Sequence, residues 1–435
     1  MSNDSNVKHA FAYKDLREWI READKLGEMK YINGLSWERE IGMVTEMLHH
    51  TDPAPCGLFD EVPGVKKGFR VLTNFFSAKR ANMTLGFPTH MSKLELSQAF
   101  LDVYLKDLGG QGIYGYCVPE KRVKNRTASG YCVLDNDFSQ AQFPNAAPID
   151  NLLVTAGHEF FHAIQFGYDY AEDRWMMEST ATWMEERIAT QVNDNRQYFQ
   201  TSPIYAPYVP LDLFSQQYTF QYGSWVWWEY LSTKYGLGIV KKAWDQAGSL
   251  KKDGGKNSIP ALQKVLKKKG GLTKNFATFA AGNLTPAANY PEGAEYPFPK
   301  FANGKVLGKG KSKRFKARLF HLAASSYGYV PKNLDGKKWK LAVSVNGPVK
   351  RTSPAAVVVV HLKNGKRQVK LVKLNRNGDG HLKVTFNSKR VAIVSVTLVN
   401  ASTRYKCNKG TTLACRGKSL DDKLRFTVTG RVTKR

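Results

Sequence analysis

The chain has 435 residues, enough to bury a sizeable core, and carries a formal net charge of +28. No apolar run approaches the length of about 20 residues that a membrane-spanning helix needs, so the sequence does not predict a transmembrane segment. The charge is unevenly distributed: residues 301–435 contain 32 Lys and Arg against four acids, whereas residues 1–300 contain 33 of each sign. This asymmetry predicts a neutral part followed by a basic one.

Residues 1–60 are predicted to form a small helical region. The stretches YKDLREWIREADKLG and SWEREIGMVTEMLHH have helical periodicity, and Gly27 and Gly34 are suited to ending and separating two helices. A pro-region and a helical cap are both consistent with this pattern. His49 and His50 lack a matching carboxylate pattern, so we expect solvated side chains there rather than metal ligands.

A hairpin is predicted next, because YGYCVPE and SGYCVLDNDF flank the turn-prone segment KRVKNRTAS. Cys117 and Cys132 hold matching places in its two strands. Cys407 and Cys415 bracket a short loop near the C-terminus, so both pairs are candidate disulfides, and Cys56 is left over. Such pairing would imply an oxidising compartment.

The opening residues MSNDSNVKHAF contain no basic-then-apolar export signal. The candidate disulfides nevertheless favour an exported protein. We therefore expect a secreted or extracellular protein with no signal peptide visible in this chain, and a cytoplasmic protein is the alternative.

The most informative segment is VTAGHEFFHAIQ, which contains an H-E-x-x-H motif formed by His158, Glu159 and His162. Residues four apart lie on one face of a helix, so the two imidazoles can bind one metal ion. The other residues around the motif are uncharged, as expected for a helix buried behind a metal. The alternative is an ordinary helix whose half-buried histidines are purely structural.

A hydrolytic zinc site takes three protein ligands and keeps one position for water, so a further ligand is needed. Glu178 is the best candidate, because the polar stretch GYDYAEDR is long enough to end one helix and begin an antiparallel second. Ala181, one turn later, would let the two helices approach closely. Glu185, two turns later, is suited to accept the second ring N–H of a ligating histidine.

Such a site predicts amide hydrolysis. Zinc lowers the pKa of its bound water to about 7 and polarises a substrate carbonyl. Glu159 lies beside the ligands without being one, so we predict that it is the general base. It would take the proton of the attacking water and deliver it to the departing amine.

H-E-F-F-H followed by W-x-x-E-x-x-A-x-x-x-E resembles the gluzincin class of zinc metallopeptidases, including its aminopeptidase branch. The segments FLDVYLKDLG, GYCVPE, GYCVLDNDF and VTAGHEFFHAIQ are similar to a family of predicted secreted bacterial metallopeptidases, over about residues 85–250. The resemblance implies a zincin-like domain over residues 61–300 that acts on peptides or proteins. It also implies that His158, His162 and Glu178 bind Zn²⁺.

The stretch SQQYTFQYGSWVWWEYLSTKYG is predicted to be a helix whose rings are mostly core. The aminopeptidase branch carries a tyrosine slightly before a glycine here, which stabilises the oxyanion. In this chain Tyr222 directly precedes Gly223, and Phe220 occupies the position of the family's tyrosine. Tyr222, Tyr218 or neither could serve, although developing negative charge needs some pre-positioned donor.

Residues 305–435 are predicted to form a basic β-sandwich of the immunoglobulin-like class, because short β-rich runs alternate with Asn-Gly turns. Their Lys and Arg side chains alternate with apolar residues and would occupy the solvent face. An anionic cell-surface polymer is a candidate partner, and a merely solubilising face is the alternative. No specific nucleic-acid binding is predicted, since the tail has no zinc knuckle, basic recognition helix or aromatic stacking pattern.

Together these patterns predict an α+β protein that is a zinc-dependent metallopeptidase. One alternative is a non-proteolytic binding or adhesion protein, with a structural or inactive zinc site and an anion-binding sandwich. The other alternative is a zinc hydrolase that acts on a non-peptide amide.

Overall fold

The computed structural model describes residues 11–76, 78–92, 95–96, 105–106, 113–250, 255–297, 299–336 and 338–434. Of the segment FLDVYLKDLG, only residues 105 and 106 lie within the described part of the chain. Tertiary contacts divide the chain into two units, Met1–Asp107 and Leu108–Arg435. The predicted division into residues 1–60, 61–300 and 305–435 stays a prediction.

The first unit combines helices with a small sheet. Its helices and strands are α1 (Leu16–Lys25), β1 (Met29–Asn33), α2 (Glu40–His49), β2 (Cys56–Asp60), β3 (Val71–Thr73), α3 (Ala78–Thr84) and β4 (Leu105–Lys106). Asp15 caps α1, because its side chain accepts hydrogen bonds from the backbone N–H groups of Arg17 and Glu18. β2 pairs in parallel with β1 and antiparallel with β3. The sequence predicted the first two helices but none of these strands.

The second unit begins with a hairpin and continues with helices. They are β5 (Gly115–Lys124), β6 (Thr127–Asp135), α4 (Pro148–Asp169), α5 (Arg174–Ile188), α6 (Phe220–Gly223), α7 (Trp225–Tyr235), α8 (Gly238–Ala247), α9 (Ser258–Leu266) and α10 (Gly271–Gly282). In the hairpin Cys117 is directly opposite Cys132, and the two form a disulfide. The second predicted disulfide, between Cys407 and Cys415, is also present.

Two helices in this unit carry the H-E-x-x-H motif and Glu178. α4 begins at Pro148, whose fixed φ suits the first helical position. It packs against α5, which begins at Arg174 after a turn. Small residues permit the close approach: Ala181 is fully buried, and a Cβ at Gly157 would meet Ile188 Cδ1 at 2.8 Å.

The C-terminal region is all-β. Its strands are β7 (Asn303–Leu307), β8 (Ser312–Leu319), β9 (Ala323–Pro331), β10 (Trp339–Asn346), β11 (Pro354–Leu362), β12 (Arg367–Leu371), β13 (Asp379–Thr385), β14 (Val391–Asn400), β15 (Tyr405–Lys406), β16 (Lys418–Ser419) and β17 (Leu424–Lys434). One sheet has the order β13-β10-β17-β8 and a second has the order β12-β11-β14-β9-β7. Apolar side chains of both sheets form one core.

β11 explains why the run PAAVVVVHL is continuously apolar rather than alternating. Val358 and Val360 belong to the core between the two sheets. Val357 and Val359 point the other way and join the core of the helices. The five-stranded sheet is therefore buried on both faces along β11, whereas β17 alternates buried positions with exposed or half-buried ones.

The prediction of an α+β protein with an all-β C-terminal region is confirmed. The immunoglobulin-like and zincin-like assignments stay predictions. Within the C-terminal region the pairing between β7 and β9 is parallel, which the sequence did not indicate. Across the part of the chain that is described, no helix is both long enough and apolar enough to cross a bilayer.

Candidate metal centre

Three side chains on α4 and α5 converge on one point. His158 and His162 project from the same face of α4, and Glu178 comes from the first half of α5. One ligating atom from each of the three lies within 4.8 Å of the other two. Both histidines are buried and Glu178 is partly exposed, so the cluster is open on one side. Such a set of two imidazoles and one carboxylate matches the donors of hydrolytic zinc sites.

The distances inside the cluster fit a tetrahedral ion better than direct hydrogen bonds. Glu178 Oε2 is 3.3 Å from His158 Nε2 and 3.4 Å from His162 Nε2. Charge-assisted N–H···O bonds are shorter, at about 2.7–2.9 Å. Ligands bonded at about 2.0–2.1 Å in tetrahedral geometry are separated by roughly 3.3–3.4 Å, which follows from those bond lengths. The three residues therefore fit Zn²⁺.

Glu185 supports His158 from the side opposite the cluster centre. Its Oε1 atom is 2.5 Å from His158 Nδ1, within hydrogen-bonding distance and shorter than either distance to Glu178. A carboxylate bonded to Nδ1 holds the ring so that Nε2 faces the metal position, and it makes the imidazole a stronger ligand. This is the arrangement predicted for Glu185.

Gln165 gives His162 the same kind of support, and the sequence analysis missed it. Its Oε1 atom is 2.7 Å from His162 Nδ1. Its Nε2 group donates to the Met177 carbonyl at 2.9 Å and to Thr180 Oγ1 at 3.0 Å. These two bonds determine which amide atom faces His162, because only the oxygen can accept the ring N–H. The three-residue spacing from His162 on one helix was the signal available in the sequence.

We expect Gln165→Leu to weaken zinc binding by about 10–100-fold, because changes to residues that orient metal ligands have effects of this size. The substitution keeps the side-chain volume but removes the acceptor for His162 Nδ1. Competition with a chromophoric chelator measures the affinity. The matched control is Gln263→Leu, on α9, whose side chain contacts Thr403 rather than a histidine. Equal zinc affinity in wild type and Gln165→Leu would contradict a supporting role for Gln165.

Glu159 lies next to the cluster but does not belong to it. It is buried, and its Oε2 atom has no hydrogen-bond partner within the described residues. The sulfur atoms of Cys117 and Cys132 lie 2.8 and 3.3 Å from its backbone carbonyl oxygen. The hairpin disulfide therefore packs directly against the turn of α4 that carries Glu159. Burial raises the pKa of this carboxyl group.

The electrostatics of the cluster favour a positive charge between its carboxylates. Burial acts to lower the pKa of His158, but the adjacent carboxylates of Glu178 and Glu185 outweigh this effect, and the pKa lies well above its usual value. Burial acts to raise the pKa of Glu178, but His162 and His158 outweigh it and hold the pKa far below its usual range. Burial raises the pKa of Glu185 to about 7.

Of the two candidate tyrosines, only Tyr222 lies at the cluster. Its ring centroid is 5.9 Å from that of His158. Burial, together with the nearby negative charge of Glu178, raises the pKa of Tyr222. The phenol therefore remains a proton donor at neutral pH. Tyr218 is 54% exposed, and its ring contacts Phe220 instead.

A 3₁₀ segment, Asp194–Thr201, adds two residues that the sequence analysis did not single out. Tyr198 stacks on Tyr222 with ring centroids 5.0 Å apart, which restrains the Tyr222 ring. Burial raises the pKa of Asp194, and the nearby His158 acts in the opposite direction. No motif signalled these positions, because the segment is irregular and reaches the cluster only through folding.

Residues 127–265 match a family of unknown function (DUF6055), so the match includes β6, α4, α5 and the whole cluster. No curated protein matches the chain.

Several solved structures resemble parts of the chain, each with low sequence identity and a low TM-score. Vanillic acid decarboxylase from Sedimentibacter hydroxybenzoicus is 12% identical over 34% of this chain and 40% of its own, with a TM-score of 0.20. The pre-peptidase C-terminal domain of collagenase from Bacillus anthracis is 10% identical over 30% of this chain and 94% of its own, with a TM-score of 0.17. PliG from Salmonella Typhimurium, a periplasmic inhibitor of g-type lysozyme, is 14% identical over 30% of this chain and 100% of its own, with a TM-score of 0.16. Similarity at this level supports no inference about activity.

Proposed function

We propose that the protein is a zinc-dependent metallopeptidase. The observation that carries the proposal is the convergence of His158, His162 and Glu178, with separations of 3.3 and 3.4 Å that fit tetrahedral ligands. A buried carboxylate, Glu159, lies beside them with an oxygen atom that has no partner among the described residues. A purely structural helix pair has no need of that combination.

Each residue has a role in amide hydrolysis. His158, His162 and Glu178 would hold Zn²⁺. When bound, the ion would act as a Lewis acid on the substrate carbonyl and lower the pKa of water. Glu159 accepts the proton of the attacking water on its carboxylate and then delivers it to the leaving amine nitrogen. Glu185 and Gln165 keep the two imidazole rings oriented. The raised pKa of Glu159 makes its carboxylate a stronger base than an exposed one.

The proposal extends to the fold and to the location of the protein. We assign residues 61–300 to the zincin-like class and residues 305–435 to the immunoglobulin-like class. The resemblance of the motif residues to gluzincins and the two facing sheets support these assignments. The two disulfides support a secreted or extracellular protein.

Tyr222 is the proposed donor to the oxyanion. We expect Tyr222→Phe to reduce kcat by about 10²–10³-fold, because loss of one oxyanion donor has effects of this size. Zinc content should not change, since the phenol is not a ligand. Tyr218→Phe is the matched control, and it should leave kcat within about twofold of wild type, because its exposed ring lies away from His158. Equal rates for both variants would remove Tyr222 from the mechanism.

Incubation of the zinc-loaded protein with a diverse peptide library tests the function itself. We expect cleavage that stops when zinc is chelated and returns when zinc is restored. Stoichiometric zinc without cleavage of any peptide would overturn the peptidase proposal and favour an inactive or structural zinc site. A parallel screen of non-peptide amides separates a peptidase from a hydrolase of another amide class.

A further inference from the structure

The outer face of the four-stranded sheet carries most of the exposed cations of its strands on one surface. We call it the cationic face, and it consists of Arg314, Lys316, Arg318, Lys340, Lys383, Arg425 and Arg431. All seven alternate with buried core positions, so they point away from the sandwich core. The only acid in the outward positions of these strands is Asp379, which accepts a hydrogen bond from Asn346.

Strand register arranges these cations in a track rather than a scatter. Arg318, Lys316 and Arg314 follow one another at every second residue of β8. Arg425 is directly opposite Arg318, and Arg431 is opposite Ser312 in the next outward row beyond Arg314. Lys340, opposite Thr433, extends the track by one more row. With about 3.4 Å per residue, the track from Arg425 to Lys340 is roughly 27 Å long.

Hydroxyl and amide groups lie between the cations. Thr427 is opposite both Lys316 and Asn346, and Thr429 is opposite both Arg314 and Ser344. In these two rows a cation of β8 therefore lies beside neutral hydrogen-bonding groups of β17 and β10. Among the outward positions of these strands, the only ring is the imidazole of His381 and the only aliphatic side chain is Ala342.

The track is electrostatically unfavourable for the isolated protein. Like charges directly opposite each other in a sheet are destabilising, and Arg318 and Arg425 are such a pair. None of the seven cations forms an ion pair with a carboxylate in the described part of the chain. A bound polyanion would offset this repulsion. Lysines scattered over a surface would not repel one another in this way, so they would gain less from such a partner.

The five-stranded sheet is instead covered along two of its inner strands, β11 and β14. Val357, Val359 and Val399 of the five-stranded sheet pack against the helical core. The cationic face is thus the broad open sheet surface of the β-region. Neither the metal cluster nor the sandwich core requires its charge.

We propose that the cationic face binds an anionic polysaccharide, a linear chain with sulfate or carboxylate groups. Its anionic groups bind the arginines and lysines, and its ring hydroxyls bind the Thr, Ser and Asn side chains between them. A single-stranded nucleic acid would require a series of aromatic stacking platforms, and this side of the sheet offers only the imidazole of His381. A bilayer surface would favour apolar side chains that insert among the headgroups, which the face also lacks.

Two triple variants of the full chain test the proposal. The face variant combines Lys316→Thr, Arg318→Thr and Arg425→Thr, because threonine suits an exposed strand position. The control variant combines Lys363→Thr, Lys366→Thr and Lys389→Thr, which removes the same charge from exposed turns elsewhere in the β-region. Binding to heparin, used as a sulfated polysaccharide, is measured by titration at several NaCl concentrations. Duplex DNA and phosphatidylserine-containing vesicles are the comparison ligands.

We expect the face variant to bind heparin at least about tenfold more weakly than wild type, while the control changes by less than about threefold. For the face variant, the slope of log Kd against log salt concentration should be smaller than for wild type by about two to three, because binding releases fewer counterions. Equal losses in the two variants would overturn the proposal, because charge alone would then explain binding. DNA or vesicles that bind wild type as tightly as heparin at equal salt would overturn the choice of partner.

Thermal unfolding separates loss of the surface from loss of the fold. The face variant should unfold at or above the wild-type midpoint at low salt, since the Arg318–Arg425 repulsion is removed. A lower midpoint would contradict the repulsion on which the inference depends. The test needs no peptide hydrolysis, so it stands apart from the proposed peptidase activity.

Discussion

The Glu159→Gln variant is expected to bind about one zinc ion per chain and to lose hydrolysis by about 10²–10⁴-fold or more. Glutamine has the same shape as glutamate but cannot take up a proton at neutral pH. The histidines and Glu178 are unchanged, so the metal remains. Zinc content by elemental analysis and kcat on a peptide from the library measure the two quantities on the same sample.

Glu186→Gln is the matched control. Glu186 is also a buried glutamate, on α5, but its carboxylate contacts Asn195 rather than the metal cluster. Burial raises the pKa of Glu186 to about 7, so an amide replaces a group that is already partly neutral at pH 7. We expect kcat within a few-fold of wild type for this control. If both variants lost activity equally, the effect of Glu159 would be structural rather than chemical.

The Glu178→Ala variant is expected to lose zinc. In the wild type, Glu178 Oε2 faces both His158 Nε2 and His162 Nε2, so the substitution removes a ligand rather than a supporting group. We expect a loss of zinc affinity greater than the roughly 10–100-fold seen when supporting residues are changed. Hydrolysis should fall with it. Equilibrium dialysis against buffered zinc measures the affinity.

Glu185→Ala distinguishes a ligand from a supporting carboxylate. Among the described residues, Glu185 bonds to the outer nitrogen of His158 and to no other ligand atom, so this variant should retain zinc more tightly than Glu178→Ala does. The reverse order of affinities would assign the third ligand to Glu185. Both substitutions lie in the same 15-residue helix, α5. Far-UV circular dichroism measures whether the helix content of each variant equals that of the wild type.

The sequence predicted the central residues of the cluster because helix geometry is local. His158 and His162 share a face whenever that stretch is helical, and the distance to Glu178 needs only a helix, a turn and a second helix. Glu185 follows from the same periodicity. Gln165 was missed because its role depends on Met177 and Thr180, which lie on the second helix.

The tyrosines show where local reasoning stops. Spacing alone left Tyr218, Tyr222 or neither as oxyanion donor. The fold brings the Tyr222 ring close to His158, and Tyr198 of a separate 3₁₀ segment packs against it. Neither contact is encoded by a periodic pattern, because both join segments that are distant along the chain.

Composition alone determined that the C-terminal third is basic and β-rich, since charge and alternation are properties of the residues themselves. The motif spacing likewise determined which residues are candidate metal ligands. Only the tertiary structure decided that four strands present a continuous cationic track and that the second sheet is covered by helices. The reason is physical: periodicity places a side chain on one face of its own strand or helix, whereas strand order, register and packing determine what that face meets.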